Sequence, residues 1–290
     1  MRDTSLADTV TRWYQDHARD LPWRRPGEPP WGVLVSEVML QQTQVARVEP
    51  VWREWMVRWP APAALAAVAA GEAIRAWGRL GYPRRALRLH ACATAIVERH
   101  GAVVPATLDE LLALPGVGAY TARAVAAFAY RQRHPVVDTN VRRVVARAVA
   151  GEADAGPATT AADLRAMEAL LPDEPERAAT ASVAFMELGA LVCVARTPRC
   201  GACPLWTTCR WRNAGAPAGT ATARRTQRYA GTDRQVRGLL LTVLREASGP
   251  VPASRLDVVW TDHEQRGRAL SGLIEDGLIC HMDSDMYRLP

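Results

Sequence analysis

Apolar positions recur at helical spacing along most of the chain. Leu6, Val10, Trp13 and Tyr14 share one face near the start, and 33–40 is apolar on nearly every side, as expected of a buried helix. The same periodicity predicts helices over 48–58, 61–69, 72–80, 84–99, 108–114, 121–130, 139–150, 160–171 and 176–192. Strand-like runs occur only at the end, at 278–282 and 286–289, so the fold class is mainly α. Residues 212–231, rich in Gly, Pro, Ala, Thr and Arg, read as a linker. Beyond it, helices are predicted over 233–245 and 264–276, with a shorter one over 253–260. Together with the two strands they suggest a small winged-helix-like α+β module at 232–290.

Composition narrows the class. With 290 residues, 49% of them hydrophobic, the chain can build one large or two medium cores. No run of eighteen apolar residues occurs and the first helix is charged, so neither a membrane span nor a signal peptide is expected, and a cytoplasmic location is. A net charge of +6 favours an acidic partner, of which nucleic acid is the commonest. All 36 basic residues are Arg. Of the six Cys, Cys193, Cys200, Cys203 and Cys209 form a C-x6-C-x2-C-x5-C pattern that argues for a metal centre rather than disulfides. On spacing alone, structural zinc and an iron–sulfur cluster fit equally. Cys92 and Cys280 read as small buried hydrophobes.

Three segments carry candidate chemistry. In Leu114-Pro115-Gly116-Val117-Gly118-Ala119-Tyr120-Thr121, Pro115 stops one helix. Gly116 and Gly118 permit positive φ and close backbone approach, so N–H groups can converge on a phosphate beside the next helix. The run Val137-Asp138-Thr139-Asn140-Val141-Arg142-Arg143 puts Asp138 where it can cap the next helix while keeping an ionised carboxylate beside the positive helix end. In Ser36-Glu37-Val38-Met39-Leu40-Gln41-Gln42, Glu37 has Val33, Leu34 and Leu40 as helical neighbours, an apolar setting that should raise its pKa and suit it to general-acid work.

These motifs, in this order over roughly residues 5–211, resemble the endonuclease III and MutY superfamily, and SEVMLQQTQV resembles the signature of MutY-type adenine glycosylases. The resemblance implies a two-lobed helix-hairpin-helix DNA glycosylase, with a barrel lobe at 22–132 and a [4Fe–4S] cluster lobe from 1–21 and 133–211. The active site would lie between them, with Glu37 and Asp138 on opposite walls. It implies that Glu37 protonates the adenine leaving group and Asp138 stabilises or traps the sugar oxocarbenium ion, with Tyr120 and Asn140 positioning Asp138 and the sugar. Gln42 and Tyr82 would probe or wedge the duplex, Trp23 and Arg24 would border the base pocket, and Gly116, Val117, Gly118, Arg142 and Arg143 would contact DNA. The four cysteines would ligate the cluster, with Arg196, Arg199, Arg210 and Arg212 facing the DNA backbone.

Relatives that also cut the strand carry a Lys nucleophile where Tyr120 stands, and this chain has no Lys at all. The implied enzyme is therefore a monofunctional, monomeric glycosylase acting on adenine opposite 8-oxoguanine or guanine in mismatched double-stranded DNA. Two departures matter. The sixty or so residues after Gly231 are too few for the MutT-like domain that many relatives carry, and Val183 stands where many offer Gln or Glu to the adenine edge. Two rivals remain at this stage: a thymine glycosylase for T·G mismatches on the same scaffold, and a non-catalytic iron–sulfur protein that binds DNA or carries electrons.

Overall fold

A computed structural model describes residues 5–156, 158–219 and 229–290. The middle of the expected linker, 220–228, lies outside the described residues. The elements run α1 (Ser5–His17), a 3-10 turn (Pro22–Arg24), α2 (Pro30–Leu40), α3 (Val45–Arg58), α4 (Pro62–Ala66), α5 (Ala70–Trp77) and α6 (Arg84–His100). They continue with α7 (Leu108–Leu112), α8 (Ala119–Phe128), α9 (Thr139–Val145), α10 (Ala161–Leu170), α11 (Pro175–Leu191) and α12 (Arg210–Asn213). The last part comprises α13 (Asp233–Glu246), β1 (Val251–Pro252), α14 (Ala253–Asp257), α15 (His263–Glu275), β2 (Cys280–Met282) and β3 (Met286–Arg288).

The mainly α expectation holds, with two refinements. The helix expected over 139–150 is α-helical only to Val145 and continues as a π-helical turn, Ala146–Ala150, closed by Gly151 at φ 82°. Such a turn rotates the side chains that follow it relative to a continuous α-helix. The two terminal strands do not form a lone hairpin. Val251 and Pro252 pair with Tyr287 and Met286, giving an antiparallel three-stranded sheet of order β1-β3-β2.

Cα proximity divides the chain into two compact units, Met1–Glu37 with Ala106–Ala113 and Val117–Ala223, and Val38–Pro105 with Leu114–Gly116 and Arg224–Pro290. In the first, α1 and α9 pack against α11 around Val10, Val141, Met167, Phe185 and Leu188, and Cys193, Cys203 and Cys209 border the same core. Gly189 makes the α9–α11 crossing possible, because a Cβ there would stand 2.7 Å from both Cβ and O of Asn140. In the second unit, α4 and α5 pack on α6, and Trp55 meets Trp59 and Trp77 edge to face at 4.8 and 5.6 Å. Among the described residues no helix is long and apolar enough to cross a membrane.

Candidate active site and cysteine pocket

In the first unit Glu37 sits on α2 with 6% of its surface exposed. Burial is the main cause of a carboxyl pKa pushed up to about 7. A hydrogen bond from the Tyr120 hydroxyl and the charge of Arg24 pull it down, and the negative Asp138 pushes it up. Glu37, Tyr120, Arg24 and Asp138 therefore lie within electrostatic reach of one another. The phenol of Tyr120 is raised well above its ordinary range, first by burial and then by the charges of Glu37 and Asp138, so it acts as a donor and not as a base.

Asp138 caps α9. Its Oδ1 accepts from the Val141 N–H at 2.7 Å and its Oδ2 from Asn140 Nδ2 at 2.8 Å. The amide of Asn140 has only one sensible orientation, because Arg143 Nη2 donates to its Oδ1 at 2.8 Å. Arg143 is in turn spent on backbone carbonyls, with Nε on Cys193 O at 2.6 Å and Nη2 on Gly189 O at 2.7 Å. Burial raises the Asp138 pKa, and the hydrogen bonds from Val141 and Asn140 oppose it.

The two arginines of the same run are engaged within the fold. Arg142 is only 5% exposed and is bonded to Asp163 Oδ2 at 3.2 Å and to the Ala155 carbonyl, so it ties α9 to its own surroundings instead of facing a ligand. Arg143 is likewise committed inward. A guanidinium already bonded to carbonyls or a carboxylate of its own chain has fewer donors left for phosphate.

Trp23 is buried in the 3-10 turn, and Val183 is buried on α11. Arg24, from the same turn, donates Nη1 to Glu187 Oε2 at 2.8 Å. Glu187, fully buried on α11, also receives a fork from Arg19 at 2.7 Å on each oxygen. Burial alone would raise its pKa, but the two arginines hold it down to about 2. The sequence reading passed over Glu187. Its flanking residues, Met186 and Leu188 on a buried helix, were the available signal, since a carboxylate in such a place needs a cationic partner.

The hairpin turn between α7 and α8 behaves differently at its two glycines. Gly116 has φ 76°, and a Cβ on it would lie 2.7 Å from Arg88 Cβ on α6. Gly118 does not need positive φ. It is the extended N-cap of α8, at φ −93° and ψ 176°, and nothing lies within 4 Å of where its Cβ would be. Gly118 thus starts α8 without a side-chain cap and leaves the space where its Cβ would stand open, an arrangement suited to an anion. Val117 between them is buried, which leaves its backbone as the part able to face a ligand.

In the second unit Gln42 and Tyr82 are both exposed and both take left-handed backbone conformations, φ 57° and 47°. Non-glycine residues held there cost about 1–3 kcal/mol each and persist only when their surroundings enforce them. Arg85 supplies the enforcement. It is 6% exposed, and Nη1 donates to the carbonyls of Val38, Met39 and Gln41 at 2.9, 2.9 and 2.6 Å. Nη2 reaches Thr43 Oγ1 at 3.0 Å and Gly81 O at 3.1 Å, so one guanidinium holds both turns. Arg85 was also missed in the sequence, although it falls on the same α6 face as Leu89 and Cys92, an anomalous charge on an apolar stripe.

Cys193, Cys200, Cys203 and Cys209 line one pocket with Arg147, Trp206, Trp211 and Arg212. Arg147, on the π-helical turn, points Nη1 at Cys193 Sγ, 3.5 Å away, and packs its guanidinium over Trp211 at 4.8 Å. Arg212 covers Trp206 at 3.2 Å. Among the described residues no three His, Cys, Asp or Glu side chains converge as they would around a single metal ion.

A buried acid, a capped carboxylate, an uncapped hairpin and a four-cysteine pocket in one helical chain accord with the comparisons. Residues 35–168 match the family model described as HhH-GPD superfamily base excision DNA repair protein. A thermostable thymine-DNA glycosylase of known structure superposes with a TM-score of 0.65 at 24% identity, over 72% of this chain and 96% of that one, a likeness of fold. The adenine DNA glycosylase of Mycolicibacterium smegmatis is 62% identical over 268 residues, 92% of this chain and 90% of that protein. The adenine DNA glycosylase of Mycobacterium tuberculosis is 58% identical over 288 residues, 98% and 94% of the two chains. The chain belongs to the HhH-GPD superfamily and, within it, to the adenine DNA glycosylase family.

Proposed function

We propose that the protein is a monofunctional DNA glycosylase that releases adenine mispaired with 8-oxoguanine or guanine, leaving an abasic site. The observation that carries this reading is Glu37, a buried carboxyl with a pKa of about 7 beside the second carboxylate, Asp138. At neutral pH a large fraction of Glu37 is protonated. Its proton passes to N7 of an extruded adenine, and the C1′–N9 bond breaks with its electron pair leaving on the base. The positive charge that develops at C1′ is met by the Asp138 carboxylate, held in place by Asn140 and the Val141 N–H. Water then adds at C1′ and gives up its proton to the Glu37 carboxylate, restoring the acid. Tyr120 steadies Glu37 through its hydroxyl and offers no amine for a Schiff base, nor does any other side chain, since the chain has no Lys.

Trp23, Arg24 and Val183 border the base in this reading, and Gln42 and Tyr82 enter the duplex, their strained and exposed tips supporting that role. The uncapped start of α8, with Gly116, Val117 and Gly118, suits a DNA phosphate. The cysteine pocket suits a [4Fe–4S] cluster held by Cys193, Cys200, Cys203 and Cys209. Its four thiols ring one pocket, and Arg147 Nη1 stands 3.5 Å from Cys193 Sγ, where a cation would offset the charge of cysteine ligands. Such a cluster would cross-link the 193–209 loop and supply a redox-active centre there. The protein is proposed to act as a monomer in the cytoplasm, at the nucleoid.

Single-turnover base release from duplexes carrying A·8-oxoguanine, A·G and T·G tests the reading. Adenine should leave the first two and thymine should stay. Faster release of thymine than of adenine would overturn it.

A further inference from the structure

The C-terminal segment has no role in the mechanism above, yet it is firmly anchored beside Tyr82. The Gly71 N–H of α5 donates to the carbonyl of Pro290, the last residue, at 2.6 Å. Arg75 donates to the carbonyls of Leu244 at 3.4 Å, Ala247 at 2.9 Å and Arg245, while Arg245 Nε returns a bond to Ile74 O at 3.0 Å. Asp276, at the end of α15, is shared between Arg84 on α6, at 3.1 Å, and Arg237 on α13. Two guanidinium groups in partly buried bonds to carbonyls and a carboxylate bridging two helices make a built contact, so α13 keeps its place against the start of α6.

This anchoring puts Arg234 over the ring of Tyr82, 5.1 Å from its centroid. Arg234 is exposed and has no ion-pair partner among the described residues, in contrast to Arg237 three residues on. Tyr229 is 55% exposed and lies 6.0 Å from the same guanidinium, and Tyr82 is 47% exposed. Two open aromatic rings around an unneutralised guanidinium form a surface suited to a nucleic-acid backbone, where rings offer stacking faces and Arg meets phosphate.

We propose that the C-terminal module is part of the DNA-binding surface, with Arg234 contacting the duplex backbone that flanks the point where Tyr82 enters. The inference rests on the reading of Tyr82 as a residue that probes DNA. Geometry makes the two inseparable, because DNA that reaches the Tyr82 ring comes within a few ångströms of Arg234. Arg234 would thereby give this chain a DNA contact beside the wedge, supplied by the C-terminal segment.

The test compares Arg234→Gln with wild type in the full chain, measuring affinity for a 25-bp A·G duplex across a salt series and single-turnover base release at saturating enzyme. Arg53→Gln serves as a charge control, since that arginine is already neutralised by Glu49 at 2.7 Å. Loss of one phosphate contact should reduce the slope of log K against log salt by about 0.9 and weaken binding several-fold at low salt, with base release within about two-fold. Arg53→Gln should leave the slope unchanged. An unaltered slope in Arg234→Gln, or an equal change in both variants, would overturn the proposal. Should wild type bind duplex but release no adenine, the glycosylase reading would fail while the salt slope still decided the Arg234 contact.

Discussion

The Arg24 guanidinium donates to the Glu187 carboxylate at 2.8 Å and also acts on the charge of Glu37. One cation therefore faces two carboxylates of opposite requirement. Glu187 is ionised down to about pH 2, and Glu37 retains its proton to about pH 7. By absorbing the positive charge of Arg24, Glu187 limits how far that arginine can stabilise the anion of Glu37.

Glu187→Gln should then lower the pKa of Glu37, moving the alkaline limb of the base-release profile to lower pH by about one unit. Arg24, Tyr120 and Asp138 are the other groups that set that limb. Stability should fall too. Because the folded-state pKa of Glu187 is depressed, its contribution is present above about pH 4.5 and lost as pH drops toward 2, and removing a buried ion-pair partner costs about 3 kcal/mol. Chemical denaturation reads the second effect. A slower enzyme with an unmoved limb would show that Glu187 serves folding alone.

Glu37→Gln should abolish base release, by 10²-fold or more on the order expected for acid catalysis, while duplex binding survives. In wild type the rate should fall about tenfold per unit above pH 7. A raised folded-state pKa stabilises the fold below about pH 4.5, and that advantage disappears as pH rises through about 7. Above that point the buried anion costs up to roughly 3 kcal/mol, so the Gln variant should unfold at higher temperature than wild type at pH 8.5. Calorimetry at two pH values reads this, and a variant less stable at pH 8.5 would argue against the buried-acid assignment.

Asp138→Asn retains a good N-cap, since Asn and Asp cap about equally well. It should fold with its cysteine pocket intact and lose base release by orders of magnitude. Retained activity in a folded variant would remove Asp138 from the chemistry.

Borohydride should trap little covalent enzyme–DNA adduct on an adenine substrate, and the product strand should break only after alkali or heat, because no side-chain amine exists. Efficient trapping would contradict the monofunctional mechanism.

The purified protein should be yellow-brown with about four irons per chain. Cys203→Ser should weaken duplex affinity more than it slows base release from bound substrate. A colourless protein with one zinc would replace the cluster by a structural metal site.

Several features were legible in the chain itself. Periodicity marked the helices because an amphipathic face is a local property, repeated every three or four residues. The spacing of the four cysteines, the hairpin glycines, the N-cap Asp138 and the apolar neighbours of Glu37 are also short-range patterns, and the lack of Lys is a fact of composition. Contacts between distant segments were decided only by the tertiary structure. Glu187 meets Arg19 and Arg24 from more than 160 positions away, Arg85 gathers two turns separated by some forty residues, and Arg234 reaches Tyr82 from about 150 residues further along the chain. The same packing turned Arg142 and Arg143 inward, although their sequence reads as a basic run open to DNA. A charge on a helix shows its spacing to its neighbours, but which carbonyl or carboxylate satisfies it depends on where the chain crosses itself. Burial makes that choice binding, because an unsatisfied charge away from water costs more than any local preference can supply.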